Sequence, residues 1–546
     1  MAAAVGAALV RAGIDAVFGV VGSGNFEVTN AMVSAGARYV AARHETGAAT
    51  MADAYARMSP AGVAAVSLHQ GCGLTNALTG ITEAAKSRTP LVVVTAEATQ
   101  RRSNFFVDQP ALAQAVGAVS MRVDSAGVGP RRAAEAVATA VQQRRTVLLN
   151  LPLDVQALPA ADPMPPASLN RPLRPAVPPA DPQDVARLAG ALGRADRPVF
   201  VAGRGARGPG CRAALEHLAD RCGALLATSA VAKGLFVGNP WSLDVSGGFA
   251  SPLAAELIGG ADVIVGWGCA LNMWTMRHGR LIAPGATVVP VDLDADALGA
   301  HRELTFGVPG DVVEVARAAG EALGGERAGY RTTRRRAEIA AGVRWRDVVF
   351  EPATEPGRID PRALTIALDD LLPAERIVSV DSGNFMGYPS MFLDVPDEFG
   401  FCFTQAFQSV GLGLATAIGA ALARPDRLPV AALGDGGLLM GASELETVAR
   451  LGLPMVVIVY DDAAYGAEVH HFGPHGALLD TVRFPETDLA AAARGFGFDG
   501  ITVRGPEDLA AVASWLEGPR AAPLLIDGKV ARDQPSWWLE EAFRGH

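Results

Sequence analysis

Cysteine is scarce in this chain, five in 546 residues, and none falls in the CxxC spacing of a metal or dithiol redox site. Cys72, Cys211, Cys222, Cys269 and Cys402 lie far apart, which argues against a disulfide framework and for a reducing, cytoplasmic setting. Charge is also sparse. Asp, Glu, Lys and Arg make up 19% of the residues, and a formal net charge of -10 leaves no electrostatic footprint for nucleic acid. Only three of the 47 basic residues are lysines, and the arginines are scattered. No apolar run approaches the roughly 18 residues of a membrane span. The N-terminal "MAAAVGAALVRAGIDAVFGV" imitates a secretion signal, but Arg11 and Asp15 interrupt it and "AVFGV" reads as a strand.

What the chain has in quantity is apolar residues, 50% of the total, enough for several cores. Helical and strand patterns alternate throughout, which implies an α/β protein with three doubly wound parallel-sheet domains, at residues 1–160, 185–345 and 358–546. Between the first two lies "LPAADPMPPASLNRPLRPAVPPADPQ", proline-rich and without periodicity, which reads as a linker. The first and third blocks share a strand-helix rhythm. In the second, "VAGRGARGPG" follows a strand as a dinucleotide-binding turn would, but it lacks a clean GxGxxG, so a purely structural domain is the expectation. The C-terminal "DQPSWWLEEAFRGH" carries two adjacent tryptophans and could close over a site or pack between subunits.

One stretch combines acids, glycines and buried strands: "LGDGGLLMGASELETVARLGLPMVVIVYDDAAYG", residues 433–466. "PVAAL" and "PMVVIVY" read as successive parallel strands, "GDGG" as a tight turn and "SELETVARL" as a helix. Asp435 and the Asp461-Asp462 pair then sit past the carboxyl ends of two neighbouring strands, where open α/β sheets bind ligands. Carboxylates so placed suit Mg²⁺, which shares its oxygen shell with phosphate, and glycines beside Asp435 let backbone N–H groups approach phosphate oxygens. A lone Asp-Gly turn is common in purely structural roles. A Walker-type loop is not expected, since no GK[ST] follows.

The spacing adds specificity: Asp462 follows Asp435 by 27 residues and frames a helix and a strand. In this the chain resembles the thiamine diphosphate (ThDP) enzymes that include acetolactate synthase, pyruvate decarboxylase and benzoylformate decarboxylase, whose motif begins GDG and ends Asn-Asn. "RHETGAATMADAYAR", "GLTNALTGITEA", "PLVVVTAE" and "QSVGLGLATAIGAALARPDR" extend the resemblance over essentially the whole chain. It implies pyrimidine-binding, central and diphosphate-binding domains, with Mg²⁺ held by Asp435, Asp462 and the backbone carbonyl of Ala464. The chain departs from the family in having Asp461-Asp462 for Asn-Asn, which adds negative charge beside a diphosphate and puts the tightness of cofactor binding in question.

By the same resemblance Glu45 is the glutamate that engages the cofactor's pyrimidine, although a glutamate opening a helix also benefits from the helix dipole alone. Ser23, in "VGSGN", matches the serine that binds the substrate carboxylate in benzoylformate decarboxylase, and His69, in "SLHQGCG", its proton-transferring histidine. Glu468 falls where pyruvate and indolepyruvate decarboxylases place a glutamate that assists decarboxylation and protonation. Val410 aligns with the apolar residue that bends the cofactor, and Gly383 and Asn384 with donors to its diphosphate. Asn76, Gly434, Gly436, Gly437, Tyr465 and Gly466 complete the expected cofactor-binding set. The implied activity is decarboxylation of a 2-oxo acid, the enamine intermediate being protonated to an aldehyde or ligated to a second carbonyl compound. The alternatives are an acetolactate synthase and a catalytically silent structural or regulatory paralogue. FAD in the central domain is left open but is not expected. The family's active sites lie between subunits, which implies a homodimer or homotetramer.

Overall fold

A computed structural model describes residues 1–159, 179–533 and 535–542, so most of the segment read as a linker lies outside the described residues. Its last residues instead start a helix, Pro182–Arg194, because the Asp181 side chain accepts the Gln183 N–H at 2.8 Å and proline is tolerated in a first turn.

Three parallel sheets of six strands each follow one another, flanked by helices. The first holds β1 (Ala16–Gly19), β2 (Arg38–Ala41), β3 (Ala64–Leu68), β4 (Leu91–Glu97), β5 (Val119–Arg122) and β6 (Thr146–Pro152), in the order β2-β1-β3-β4-β6-β5. The second holds β7 (Pro198–Ala202), β8 (Leu225–Thr228), β9 (Ser242–Val245), β10 (Val263–Trp267), β11 (Thr287–Asp292) and β12 (Val308–Pro309), in the order β12-β11-β10-β7-β8-β9. The third holds β13 (Arg376–Val380), β14 (Phe401–Phe403), β15 (Leu428–Gly434), β16 (Val456–Asp461), β17 (Asp499–Val503) and β18 (Leu524–Lys529), in the order β14-β13-β15-β16-β18-β17. The central strands are buried Val, Ile, Leu and Ala runs without alternation, as strands covered on both faces require. The first and third sheets have the same strand order, which accounts for their shared rhythm.

The middle sheet has the order of dinucleotide-binding folds, with the switch point between β7 and β10. There the glycines serve chain packing. A Cβ on Gly205 would lie 2.8 Å from Gly268 Cα, and one on Gly203 would overlap the Gly268 carbonyl oxygen. The turn after β7 therefore lies directly on the turn after β10.

The first and third domains pack through helix Glu45–Met58 against helix Gly413–Ala423, and their apolar residues form one continuous core. Alanine and glycine line the contact, and a Cβ on Gly419 would overlap the Met51 carbonyl oxygen, so the helices approach more closely than larger residues allow. Beside it the buried Arg57 guanidinium pairs with Asp53 at 2.6 Å and Glu83 at 2.9 Å and donates to the Phe403 carbonyl at 2.9 Å. Glu83 in turn accepts the Ala406 and Phe407 N–H groups at 3.1 and 2.6 Å. Arginine holds Glu83 below the usual carboxylate range against the opposing effect of burial. Removing one partner of such a network leaves an uncompensated buried charge, a cost of about 3–5 kcal/mol.

Candidate active site

Two groups of side chains stand at strand ends, one on each of these domains. On the first domain Glu45 opens helix Glu45–Met58, where His44 Nδ1 accepts the Thr46 N–H at 3.2 Å and caps the helix. Glu45 is half-buried, and its Oε2 accepts from Asn76 Nδ2 at 3.1 Å. Asn76, expected to touch cofactor, thus orients Glu45, and it is itself held by Thr46 Oγ1 donating to its carbonyl. The preceding turn is tied to the third domain by Glu444, whose Oε1 accepts the Arg43 and His44 N–H groups at 3.0 and 3.1 Å.

His69 follows β3, and Ser23 lies in the loop after β1, so parallel pairing of β1 with β3 brings them to the same end of the sheet. Ser23 Oγ lies 3.5 Å from His69 Nε2, and His69 Nδ1 lies 3.0 Å from the Gln70 carbonyl. A carbonyl oxygen can only accept, so Nδ1 carries the hydrogen in the neutral ring and Nε2 faces the serine as an acceptor. The Phe105 ring stands edge-on to the imidazole at 5.2 Å. A Cβ on Gly73 would come 3.7 Å from Glu45 Oε1 and 3.2 Å from His69 Cβ, so Glu45 and His69 border the same helix start.

On the third domain "GDGG" is not a free turn. Gly434 is the N-cap of a short helix, Asp435–Met440, so Asp435 occupies its first turn. Asp462 follows β16, with its Oδ1 accepting the Ala464 N–H at 3.1 Å. A Cβ on Gly466 would overlap Asp462 Oδ2, so only glycine there leaves room for this carboxylate. Gly466 also lies against the Asn384 side-chain amide, and a Cβ on Gly436 would touch the Tyr465 ring at 3.0 Å. A cavity of about 300 Å³ opens at these strand ends, lined by Asp435, Gly436, Met440, Asp461, Tyr465 and Phe484 among others. Val410 stands exposed at the rim, 3.5 Å from the position of a Cβ on Gly437. Glu468 is half-buried in the first turn of helix Gly466–Phe472. At Gly383 φ is +145°, a conformation open to glycine, and it leads into Asn384, which accepts from the Ser536 N–H at 3.2 Å and the Trp538 indole at 2.8 Å. The tryptophan tail therefore seats on this turn of its own chain.

The two acids expected to hold a cation are close enough to disturb each other. Burial, with the charge of Asp462 next, raises Asp435 to about 8; burial raises Asp462 to about 7. Among the described residues no cluster of three acidic, His or Cys side chains could hold a metal, so a cation here would complete its shell from backbone carbonyls, water or a ligand's phosphate. Asp461 is buried and lines this cavity, but its carboxylate is already engaged. Its Oδ1 accepts the Ala463 N–H at 2.9 Å and its Oδ2 meets Lys529 Nζ at 2.5 Å.

Several residues that organise the site carry no motif signal. Asp381, at the end of β13, is buried and raised to about 6 by burial, and it accepts the Gly411 N–H at 2.9 Å. Cβ atoms on Gly413 or Gly437 would collide with it. Asp381 thus joins the loop bearing Val410 to the turn bearing Asp435. Glu444 and Lys529 were likewise unannounced in the sequence.

No hydrogen bond or ion pair among the described residues links Glu45, His69 or Ser23 to Asp435, Asp462 or Glu468. Comparison with known proteins is consistent with this division into two halves. Residues 1–121, 185–319 and 381–527 match, respectively, the N-terminal TPP binding, central and C-terminal TPP binding domains of the thiamine pyrophosphate enzymes. The chain is 31% identical to a probable 2-ketoarginine decarboxylase of Pseudomonas aeruginosa, over 91% of this chain and 93% of that one. It is 27% identical to the sulfoacetaldehyde acetyltransferase of Castellaniella defragrans (92% and 88%) and 28% identical to an acetolactate synthase large subunit of Parasynechococcus marenigrum (98% and 88%). The chain belongs to the thiamine pyrophosphate (ThDP) enzyme family. No helix among the described residues is long and apolar enough to cross a membrane.

Proposed function

We propose that this protein is a ThDP- and Mg²⁺-dependent decarboxylase of a 2-oxo acid that releases an aldehyde. The observation that carries the reading is the pairing of Ser23 Oγ with His69 Nε2 beside Glu45, a carboxylate-binding hydroxyl next to a proton carrier. The third domain supplies the complementary half: two carboxylates with an adjacent backbone carbonyl, glycines that leave room for a phosphate, and a cavity at strand ends. Asp435, Asp462 and the Ala464 carbonyl would hold Mg²⁺. Bound ThDP supplies the carbon nucleophile and the electron sink that loss of carbon dioxide requires. Glu45, oriented by Asn76, would hold a proton toward the pyrimidine ring of bound ThDP. When substrate binds, Ser23 turns its one hydrogen from His69 Nε2 to the substrate carboxylate, and the Nδ1–H tautomer of His69 then has Nε2 open to take and return a proton. Glu468, with no hydrogen bond to its carboxylate among the described residues, is the second proton source and supports aldehyde release over ligation.

In this reading a second subunit brings the two halves into one site. Exposed apolar side chains around both, Phe26 and Phe105 on the first domain and Val410, Leu439 and Met440 on the third, support a homodimer or homotetramer in which they are covered.

The test is carbon dioxide release from a panel of aliphatic and aromatic 2-oxo acids, with and without ThDP and Mg²⁺, with mass spectrometry of the organic product. A cofactor-dependent aldehyde supports the reading. A hydroxyketone keeps the class but overturns the role given to Glu468, as acetolactate from pyruvate would. No release from any donor despite ThDP binding overturns the decarboxylase.

Protons compete with the cation at Asp435 and Asp462, so Mg²⁺ affinity is expected to rise about tenfold or more from pH 6 to pH 8. The sign follows from both pKa values being raised above the unfolded value of 3.8 to about 8 and about 7. The folded, cation-free chain keeps protons that the unfolded chain has lost, so these groups make it less stable as pH rises from about 4 to 8. Melting with and without Mg²⁺ at the two pH values checks this: the stabilisation by Mg²⁺ is expected to be larger at pH 8.

A further inference from the structure

Lys529 is one of three lysines in the chain, and its ammonium is buried behind the diphosphate turn. It stands directly across from Asp461 in the parallel pairing of β16 with β18. Nζ meets Asp461 Oδ2 at 2.5 Å and Asp527 Oδ2 at 3.0 Å, and donates to the Thr487 carbonyl at 2.7 Å. A second buried cation, Arg358, donates to the Asp461 carbonyl at 3.0 Å and pairs with Glu486. The Asp461 carboxylate also fixes the next step of the chain. Its Oδ1 takes the N–H of Ala463, a non-glycine residue held at φ +52°, which puts a left-handed step between Asp462 and Ala464.

Resting on the function proposed above, we propose that Lys529 is a positioning residue for the cofactor's diphosphate. Its ammonium, shared with Asp527, offsets the charge that Asp461 brings to a position where the family has a neutral asparagine, and the locked pair keeps the Asp461 carboxylate on Lys529 at the cavity wall. Without Lys529 the turn would carry a further uncompensated negative charge. Such a charge attracts a free divalent cation and repels a diphosphate, so the two affinities must move in opposite directions. A purely structural ion pair would shift them together.

The experiment compares wild type, Lys529→Met, Asp461→Asn and Asp461→Asn/Lys529→Met below their melting transitions. Binding of Mn²⁺ alone is followed by its EPR signal, and binding of ThDP at saturating Mn²⁺ by tryptophan fluorescence. Lys529→Met is expected to bind Mn²⁺ at least as tightly as wild type and ThDP about tenfold more weakly. The double variant is expected to recover ThDP affinity to within about threefold. Asp527 is unpaired in both lysine variants, so their difference isolates Asp461. Parallel weakening of Mn²⁺ and ThDP in Lys529→Met, or no recovery in the double variant, overturns the inference. Should the lysine variants not fold, Asp461→Asn decides alone, because it leaves Lys529 paired with Asp527: ThDP binding as tight as wild type or tighter supports the inference, and weaker binding overturns it. Wild-type protein that binds Mn²⁺ but no ThDP overturns the proposed function, and this inference with it.

Discussion

Glu45→Gln is expected to lower the rate of carbon dioxide release by about a hundredfold or more while leaving ThDP affinity within a few-fold of wild type. Glutamine has the shape of glutamate and its carbonyl oxygen can still accept from Asn76 Nδ2, so the helix start and its contacts survive. What it cannot do is share a proton with a ring nitrogen. The loss therefore falls on turnover and not on binding, a split that an effect on folding or cofactor docking would not give. Single-turnover carbon dioxide release and a ThDP titration by tryptophan fluorescence separate the two. Turnover near the wild-type rate would remove Glu45 from the chemistry and return it to the role of a helix-opening acid.

Much of this organisation was legible because it is local. Each strand quoted from the sequence forms, since a run such as "PMVVIVY" has β-branched residues, no alternation and turn formers at its ends. His69 and Ser23 could be placed at one end of the first sheet because strand-end loops in a parallel sheet share a side. The reading failed where an element depends on distant partners. "GDGG" looks like a turn, yet it starts a helix because Gly437 can approach Asp381 from another strand. The Asp461-Asp462 pair looks like surplus negative charge at the site. Lys529, 68 residues on from Asp461, is brought beside it only by the pairing of β16 with β18. Of the partners of Arg57 only Asp53, four residues before it, is local; the others come from "GITEA" and from the third domain, 346 residues away at Phe403, so its buried role does not show. Spacing within a motif can be read from one chain; charge compensation across strands cannot.

Asp435→Ala is expected to weaken ThDP and Mg²⁺ binding by about a hundredfold or more without unfolding the chain. Burial, with the charge of Asp462 next, raises Asp435 to about 8, so in the cation-free protein its removal relieves the cost of burying that carboxyl, and the melting temperature should hold or rise. Mixing this variant with Glu45→Gln then tests the architecture. If each site joins the first domain of one subunit to the third domain of its partner, every hybrid dimer has one doubly damaged site and one intact site. Random reassortment makes half the dimers hybrids, so activity should return to about a quarter of wild type from two nearly inactive parents. If the site lay within one chain, every subunit would keep one lesion and no activity would return, whatever the exchange. Subunit exchange verified by native mass spectrometry, followed by the carbon dioxide assay, decides between the two arrangements. The close packing of helix Glu45–Met58 on helix Gly413–Ala423 fixes how the two halves of one chain sit relative to each other, so a partner related by two-fold symmetry would complete both sites at once.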